Sequence, residues 1–197
     1  NINYANYQAT DITDANSLEV AQFTIRDGGG AADGDAVGTI LTNFVMSLSN
    51  PANVRRVALY DGTTELAELA GGATVNFSGL TVTAPDDGTK TFSVRVTFNS
   101  AVTDNHQFVF TVTSATADGA GSNFAAANAG GAASSSAGDD NRIEVTADRL
   151  AFVQNTTSPT GLNAAMSPAP TVSANDVNAN RDLDFTAFID ITSTGTL

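Results

Sequence analysis

The sequence predicts an all-β protein made of sandwich modules, and three observations carry that prediction. Of its 21 acids 17 are Asp, and Lys90 is its single lysine. Asp favours turns and loops, whereas Glu and Lys fill helix surfaces. The 26 Thr residues suit the faces of strands. Apolar residues recur with a period of two, in short runs bounded by Gly, Asn and Asp. Hydrophobic residues make up 42% of the 197, but 32 of them are Ala, so a core must rest on Val, Ile, Leu and 11 Phe.

The first strand changes phase. Leu18 and Val20 point one way, then Ala21, Phe23 and Ile25 take over the apolar face, as a β-bulge or a strand switching sheets would produce. Ile40, Thr42, Phe44, Met46 and Leu48 are read as one face of the next strand. Val57 and Leu59 mark another, ending at the tight-turn dipeptide Asp61-Gly62. Leu66 and Leu69 predict a short edge strand, and Val75 with Phe77 a further one. Pro85-Asp86-Asp87-Gly88 is a turn. Phe92, Val94, Val96 and Phe98 then alternate with Thr91, Ser93, Arg95 and Thr97. After a turn-rich gap, Phe108, Phe110 and Val112 repeat the pattern, and the two runs are read as an antiparallel hairpin. Seven or eight strands in this stretch fit an immunoglobulin-like sandwich.

Residues 117–141 are mostly Ala, Gly, Ser and Asn, with Phe124 the one large apolar side chain. The composition predicts a flexible loop or linker; the alternative is an ordered connection whose Phe124 plugs back onto the sandwich. The strand pattern resumes with Ile143, Val145 and Ala147, then Leu150 and Phe152. A Pro-bearing stretch, Val172 with Ala174, and the alternating Phe185, Ala187, Ile189 and Ile191 follow. The expected organisation is one sandwich over residues 1–141 and the first half of a second over 142–197. Half a sandwich leaves unpaired edges, so either the chain is a piece of something longer or another chain completes the module. A start at Asn1 with no apolar leader fits the first alternative, and no apolar run approaches the 18 residues of a helical membrane span.

The run IEVTADRLAFVQNTTSPTGLNAAMSPAPTVSANDVNANRDLDFTAFIDITST, from Ile143 to Thr194, resembles the opening half of bacterial immunoglobulin-like repeats in giant surface proteins. In that family a strand like Arg149–Val153 leads through a Ser/Pro link to a Val-x-Ala-x-Asp strand and a polar Asn/Asp loop. Ala165, Ser167, Pro168, Val172, Ala174, Asp176 and Asn180 stand where the family pattern puts them. The family loop commonly carries a Gly where this chain has Asn178-Ala179-Asn180. The segments VRRVALYDGTTELAE and APDDGTKTFSVRVTFNSAVTDNHQFVFTVTSATADGAGS look like a partner repeat of the same class. The resemblance implies long multi-repeat adhesins or filaments of Bacteroidota, exported by the type IX route. It therefore implies an extracellular or cell-surface location.

Composition narrows the chemistry. A net charge of −13 repels nucleic acid and anionic membrane surfaces. Without cysteine there is no disulfide, thiol catalysis or Cys-ligated metal, and one His leaves little general acid–base chemistry near neutral pH. His106 is in phase with Phe108 and Phe110 and reads as an edge residue. Arg55 and Arg56 point to opposite faces of a strand, and a salt bridge with Glu65 or Glu68 is their expected use. A glycosidase pair of carboxylates would want aromatic platforms, and there are three Tyr and no Trp. The chain is therefore read as non-enzymatic.

The sharpest constellation is Asp176, Asn178, Asn180, Asp182 and Asp184. Oxygen-bearing side chains at every second position can converge on one hard cation, and calcium is the candidate. Arg181 stands where a helical calcium loop needs its turn Gly, and Ala187 where it needs its closing Glu. A looser sandwich-loop site remains, beside a plain solvated turn. Asp27, Asp33 and Asp35 around Gly28-Gly29-Gly30 form a second acidic group; the glycines lack the Lys and Ser/Thr that a phosphate cradle needs. The expected function is a structural repeat of an extracellular fibre or adhesin, giving spacing, stiffness and contacts with other copies or neighbouring repeats. The rival readings are a calcium-dependent module binding cell-surface glycans or proteins, and an accessory domain of a secreted enzyme.

Overall fold

The computed structural model describes residues 1–27, 35–118, 122–124, 128–129, 141–156 and 164–189. The chain divides into two compact units, Asn1–Glu144 and Val145–Leu197. The strands in chain order are β1 (Ile2–Asn3), β2 (Leu18–Asp27), β3 (Thr39–Leu48), β4 (Val54–Asp61), β5 (Thr64–Ala70), β6 (Thr74–Ala84) and β7 (Thr89–Phe98). They continue with β8 (Phe110–Ala117), β9 (Ser122–Phe124), β10 (Asn128–Ala129), β11 (Ile143–Glu144), β12 (Arg149–Gln154) and β13 (Thr171–Asn175). The fold is all-β, as the Asp-over-Glu bias and the period of two predict.

In the first unit a five-stranded sheet, β5-β4-β7-β2-β9, faces a four-stranded one, β10-β8-β3-β6, and every pairing within them is antiparallel. Apolar residues at alternate positions put one face of each sheet inward, consistent with a β-sandwich. Phe23 and Phe92 pair across β2 and β7, and Phe44 of the opposing sheet stands edge-on to both, with ring centroids at 4.8 and 5.3 Å. All three rings are buried. A second aromatic group, Phe98, Phe108 and Phe110, is also buried, with centroid spacings of 5.8 and 6.2 Å.

That second group corrects the hairpin expected between the Phe92 and Phe108 runs. β7 lies between β4 and β2 in one sheet, whereas β8 pairs with β3 in the other. The connection crosses from sheet to sheet, and Phe98 packs on Phe108 across the core instead of beside it. Alternation marks which residues face inward but is silent on which strand is the neighbour.

The phase change in β2 is a bulge, where the register against β7 shifts between Glu19 and Ala21. β3 carries a phase change too. Its buried residues are Thr39 and Leu41, then Phe44, Met46 and Leu48, with a register shift between Leu41 and Asn43. Ile40 and Thr42 therefore do not share the face of Phe44. Opposite the shift, β6 changes phase at Gly79, from Val75 and Phe77 inward to Leu80, Val82 and Ala84 inward. Gly79 has φ +70, which its missing Cβ permits.

A strap from the N-terminal segment covers the outer face of the five-stranded sheet. Arg95 on β7 donates from Nε to Ser17 Oγ (2.9 Å) and from Nη2 to the Asp14 and Ser17 carbonyls (2.6 and 3.0 Å), and lies over the Tyr60 ring. Arg55 donates to the Gln8 carbonyl (2.9 Å), and Glu68 accepts from Ile12 N (3.1 Å). Ile12 is thereby buried with Ala58 and Tyr60.

The segment 117–141 is not simply a linker, because two of its pieces join the sheets: β9 pairs with β2 and β10 with β8. Its remaining interior, and the place of the Phe124 side chain, lie outside the described residues. β11 runs parallel to β1, and Ile143 is fully buried. Ile143 and Glu144 thus belong with the first unit, and the division falls after Glu144 where the sequence placed it after Asn141.

In the second unit β12 and β13 form a two-stranded antiparallel sheet. Phe185–Ile189, read from its alternation as a strand, carries no strand pairing. Ile191, the last residue of that pattern, lies outside the described residues.

Candidate functional site

The Asp176 loop is a tight turn built around one carboxylate. Asp176 Oδ1 accepts from the backbone N–H of Asn178 (3.0 Å) and of Asn180 (2.8 Å), and Oδ2 accepts from Asn180 Nδ2 (3.2 Å). Backbone bonds from Ala179 N to Asp176 O and from Asp176 N to Asn180 O, both 3.0 Å, close it. Such a turn stands in for backbone pairing where the chain reverses. Asp176 and Asn180 are buried, Asn178 is half-buried and Asp184 is exposed. Asp182 is directed elsewhere, its Oδ2 accepting from Ala147 N (3.0 Å). The five oxygen-bearing residues therefore do not share one arrangement: Asp176, Asn178 and Asn180 are joined by the turn, while Asp182 secures the entry to β12.

The acids around the glycine triplet are also rearranged. Asp33 lies outside the described residues, and Asp35 accepts from Val37 N (2.7 Å). Asp27 is brought instead to Asp86 and Asp87, with one carboxylate oxygen of each within 4.8 Å of the others. Asp27 is fully buried at the end of β2; it accepts from Thr39 Oγ1 and, at 3.1 Å, from Asp87 N. Asp87 sits at φ +53 in the turn before β7. Spacing along the chain could not reveal this trio, since β2 and the β6–β7 turn meet only in the folded sheet. The buried member helps fix the turn, and Asp86 and Asp87 are exposed.

His106 and the Arg55–Arg56 pair, among the described residues, make contacts within the scaffold. His106 is exposed, with Nδ1 3.5 Å from Asn53 Nδ2. Of the two acids offered to the arginine pair, Arg56 takes Glu68, while Glu65 accepts from the Tyr60 hydroxyl (3.4 Å). Burial and the neighbouring Glu65 carboxylate push the Tyr60 hydroxyl above the usual tyrosine range.

Two features escape the sequence altogether. The ends of the first unit are tied together: β1 and β11 pair in parallel, Ile2 N donates to Arg142 O (2.7 Å), and Arg142 Nε donates to Asn1 Oδ1 (3.0 Å). Asn1 Nδ2 also donates to Glu144 Oε2. The second feature is an apolar concavity of the second unit, about 340 Å³, lined by Leu150, Phe185, Phe188 and Ile189 with Ala147, Asp148 and Arg149. Arg149 grips Asp148 with two hydrogen bonds (2.6 and 3.1 Å), holding that carboxyl below its ordinary range and the guanidinium above its own. Comparison of the chain with known families, with curated proteins and with solved structures gives no match.

Proposed function

We propose that this chain is a structural repeat module of an extracellular fibre or cell-surface adhesin, a tandem of immunoglobulin-like sandwiches that gives spacing and stiffness and does no catalysis. The observation that carries the reading is the parallel pairing of β1 with β11. These are the first and last strands of the unit Asn1–Glu144. When parallel terminal strands are pulled apart by their ends, their hydrogen bonds are loaded in shear and must break together. Antiparallel terminal strands would unzip one bond at a time. A unit joined this way resists tension along the chain, which is what a spacer in a fibre needs. The internal commitments of Asp27, Asp176 and Arg95 agree with it, since each serves a turn or the N-terminal strap.

Single-molecule stretching of the whole chain tests the reading. The first unit is expected to give one cooperative, high-force event. Ile2→Pro, which removes the donor to Arg142 O, is expected to lower that force while leaving the equilibrium denaturation midpoint nearly unchanged. Low-force unfolding of the unsubstituted unit, or chelator-sensitive binding on a glycan array, would overturn it in favour of a recognition module.

A further inference from the structure

We infer that the open edge of β12 is a homophilic contact, where two copies of this chain pair β12 against β12 in an antiparallel, two-fold arrangement. Among the described residues β12 pairs on one side only, with β13. Its other edge is unpaired among the described residues, and all six of its residues are exposed, with Phe152 at 66% and Val153 at 69%. A two-stranded sheet is marginal by itself; joining two copies makes it four-stranded.

The occupant is a second copy because this edge is complementary to itself. Leu150 and Phe152 share one face, and β13 places Ala174 and Val172 beside them on it. A two-fold axis through Ala151 sets Leu150 opposite the partner's Phe152 and Phe152 opposite the partner's Leu150. One apolar face then continues across both copies, on a side chain that also lines the concavity with Phe185, Phe188 and Ile189. β12 is regular against β13 from Arg149 to Phe152 and shifts register at Val153, so the self-pairing is confined to Leu150–Phe152, where no like charges are opposed. Charges on an edge block pairing, and β5, one of the edge strands of the first unit, carries Glu65 and Glu68. From Leu150 to Val153 β12 has neither charge nor proline. The charge balance points the same way, since Val145–Leu197 holds five acids and two arginines, whereas Asn1–Glu144 holds sixteen acids and six bases. For a chain of net charge −13 meeting its own copy, the second unit is the less repulsive end.

The contact would let copies of a fibre or adhesin repeat meet one another and rests on the proposed function for its use, though not for its geometry. Sedimentation equilibrium of the whole chain, from micromolar to millimolar, is expected to show a monomer–dimer equilibrium that Phe152→Lys shifts to monomer. Because the chain has no cysteine, single substitutions report the register. Residues opposed across antiparallel strands lie within disulfide reach. Ala151→Cys, on the axis, is expected to form the disulfide dimer at least about tenfold faster than Val177→Cys, an exposed control in the same unit. A monomer at every concentration overturns the inference, and so do larger aggregates in which Ala151→Cys links no faster than the control. Either result leaves the stretching experiment on β1 and β11 to decide the function by itself.

Discussion

Several single residues hold positions that sequence statistics would not assign them. Ala179 has φ +67, in the left-handed region where a Cβ is crowded. The Asp176 carboxylate holds the turn in that shape from both sides. Ala179→Gly is therefore expected to stabilise the second unit by about 1 kcal/mol, the cost of one L-residue in that conformation; slowed amide exchange at Asn178 and Asn180 would report it. Tyr60 acts at the other end of the pH scale. Its hydroxyl is raised above the ordinary value because burial beside Glu65 disfavours the phenolate. A group whose folded pKa is raised contributes stability that is complete below the unfolded value and is lost as pH rises through the folded one. Denaturant midpoints are therefore expected to decline above about pH 10, and Tyr60→Phe to remove that part of the decline.

Strands need both an apolar phase and a partner, and the chain encodes the two unequally. The bulge in β2 is legible because Leu18 and Val20 give way to Ala21, Phe23 and Ile25 within a few residues. The paired shifts in β3 and β6 are harder to see. Thr39 is buried although polar, and Ile40 lies off the inward face although apolar. Gly79 absorbs the mismatch on β6. Open space lies where its Cβ would go, so the obstacle to substitution there is backbone conformation alone. Gly79→Val is expected to cost about 1–3 kcal/mol and to show in urea unfolding, with Ser78→Val, one residue earlier on the same outward bend, as the control. The β7–β8 crossing shows the converse limit. Both strands were legible, but two alternating runs with a turn-rich gap describe a hairpin and a sheet-to-sheet connection equally well.

At the scale of the whole molecule the two units differ in what holds them. The first closes on two aromatic groups between sheets, and Phe44→Ala would remove the ring that meets Phe23 and Phe92 from the opposing sheet. Among its described residues the second buries Val145, Ser173, Ala174, Asp176 and Asn180, and keeps Leu150, Phe152, Val153 and Phe188 exposed. Two thermal transitions are expected, the second unit melting first, and proteolysis near the lower one should leave a resistant fragment ending close to Glu144. Calcium at millimolar levels is expected to leave both in place, because Asp176 already accepts three protein hydrogen bonds. An upward shift of the second unit's transition alone, reversed by chelator and absent in Asp176→Asn, would show that the loop opens to take a cation.

The sequence by itself determined the all-β class, most strand positions and the turn character of the acids, because side-chain alternation and turn chemistry are local properties. Only the tertiary structure decided which strands are neighbours, that Asp27 meets Asp86 and Asp87, that Arg95 straps the N-terminal segment, and that β1 lies parallel to β11. Those pairings join residues far apart in the chain. They are selected by the shape and hydrogen bonding of the whole sheet, for which a period of two carries no address.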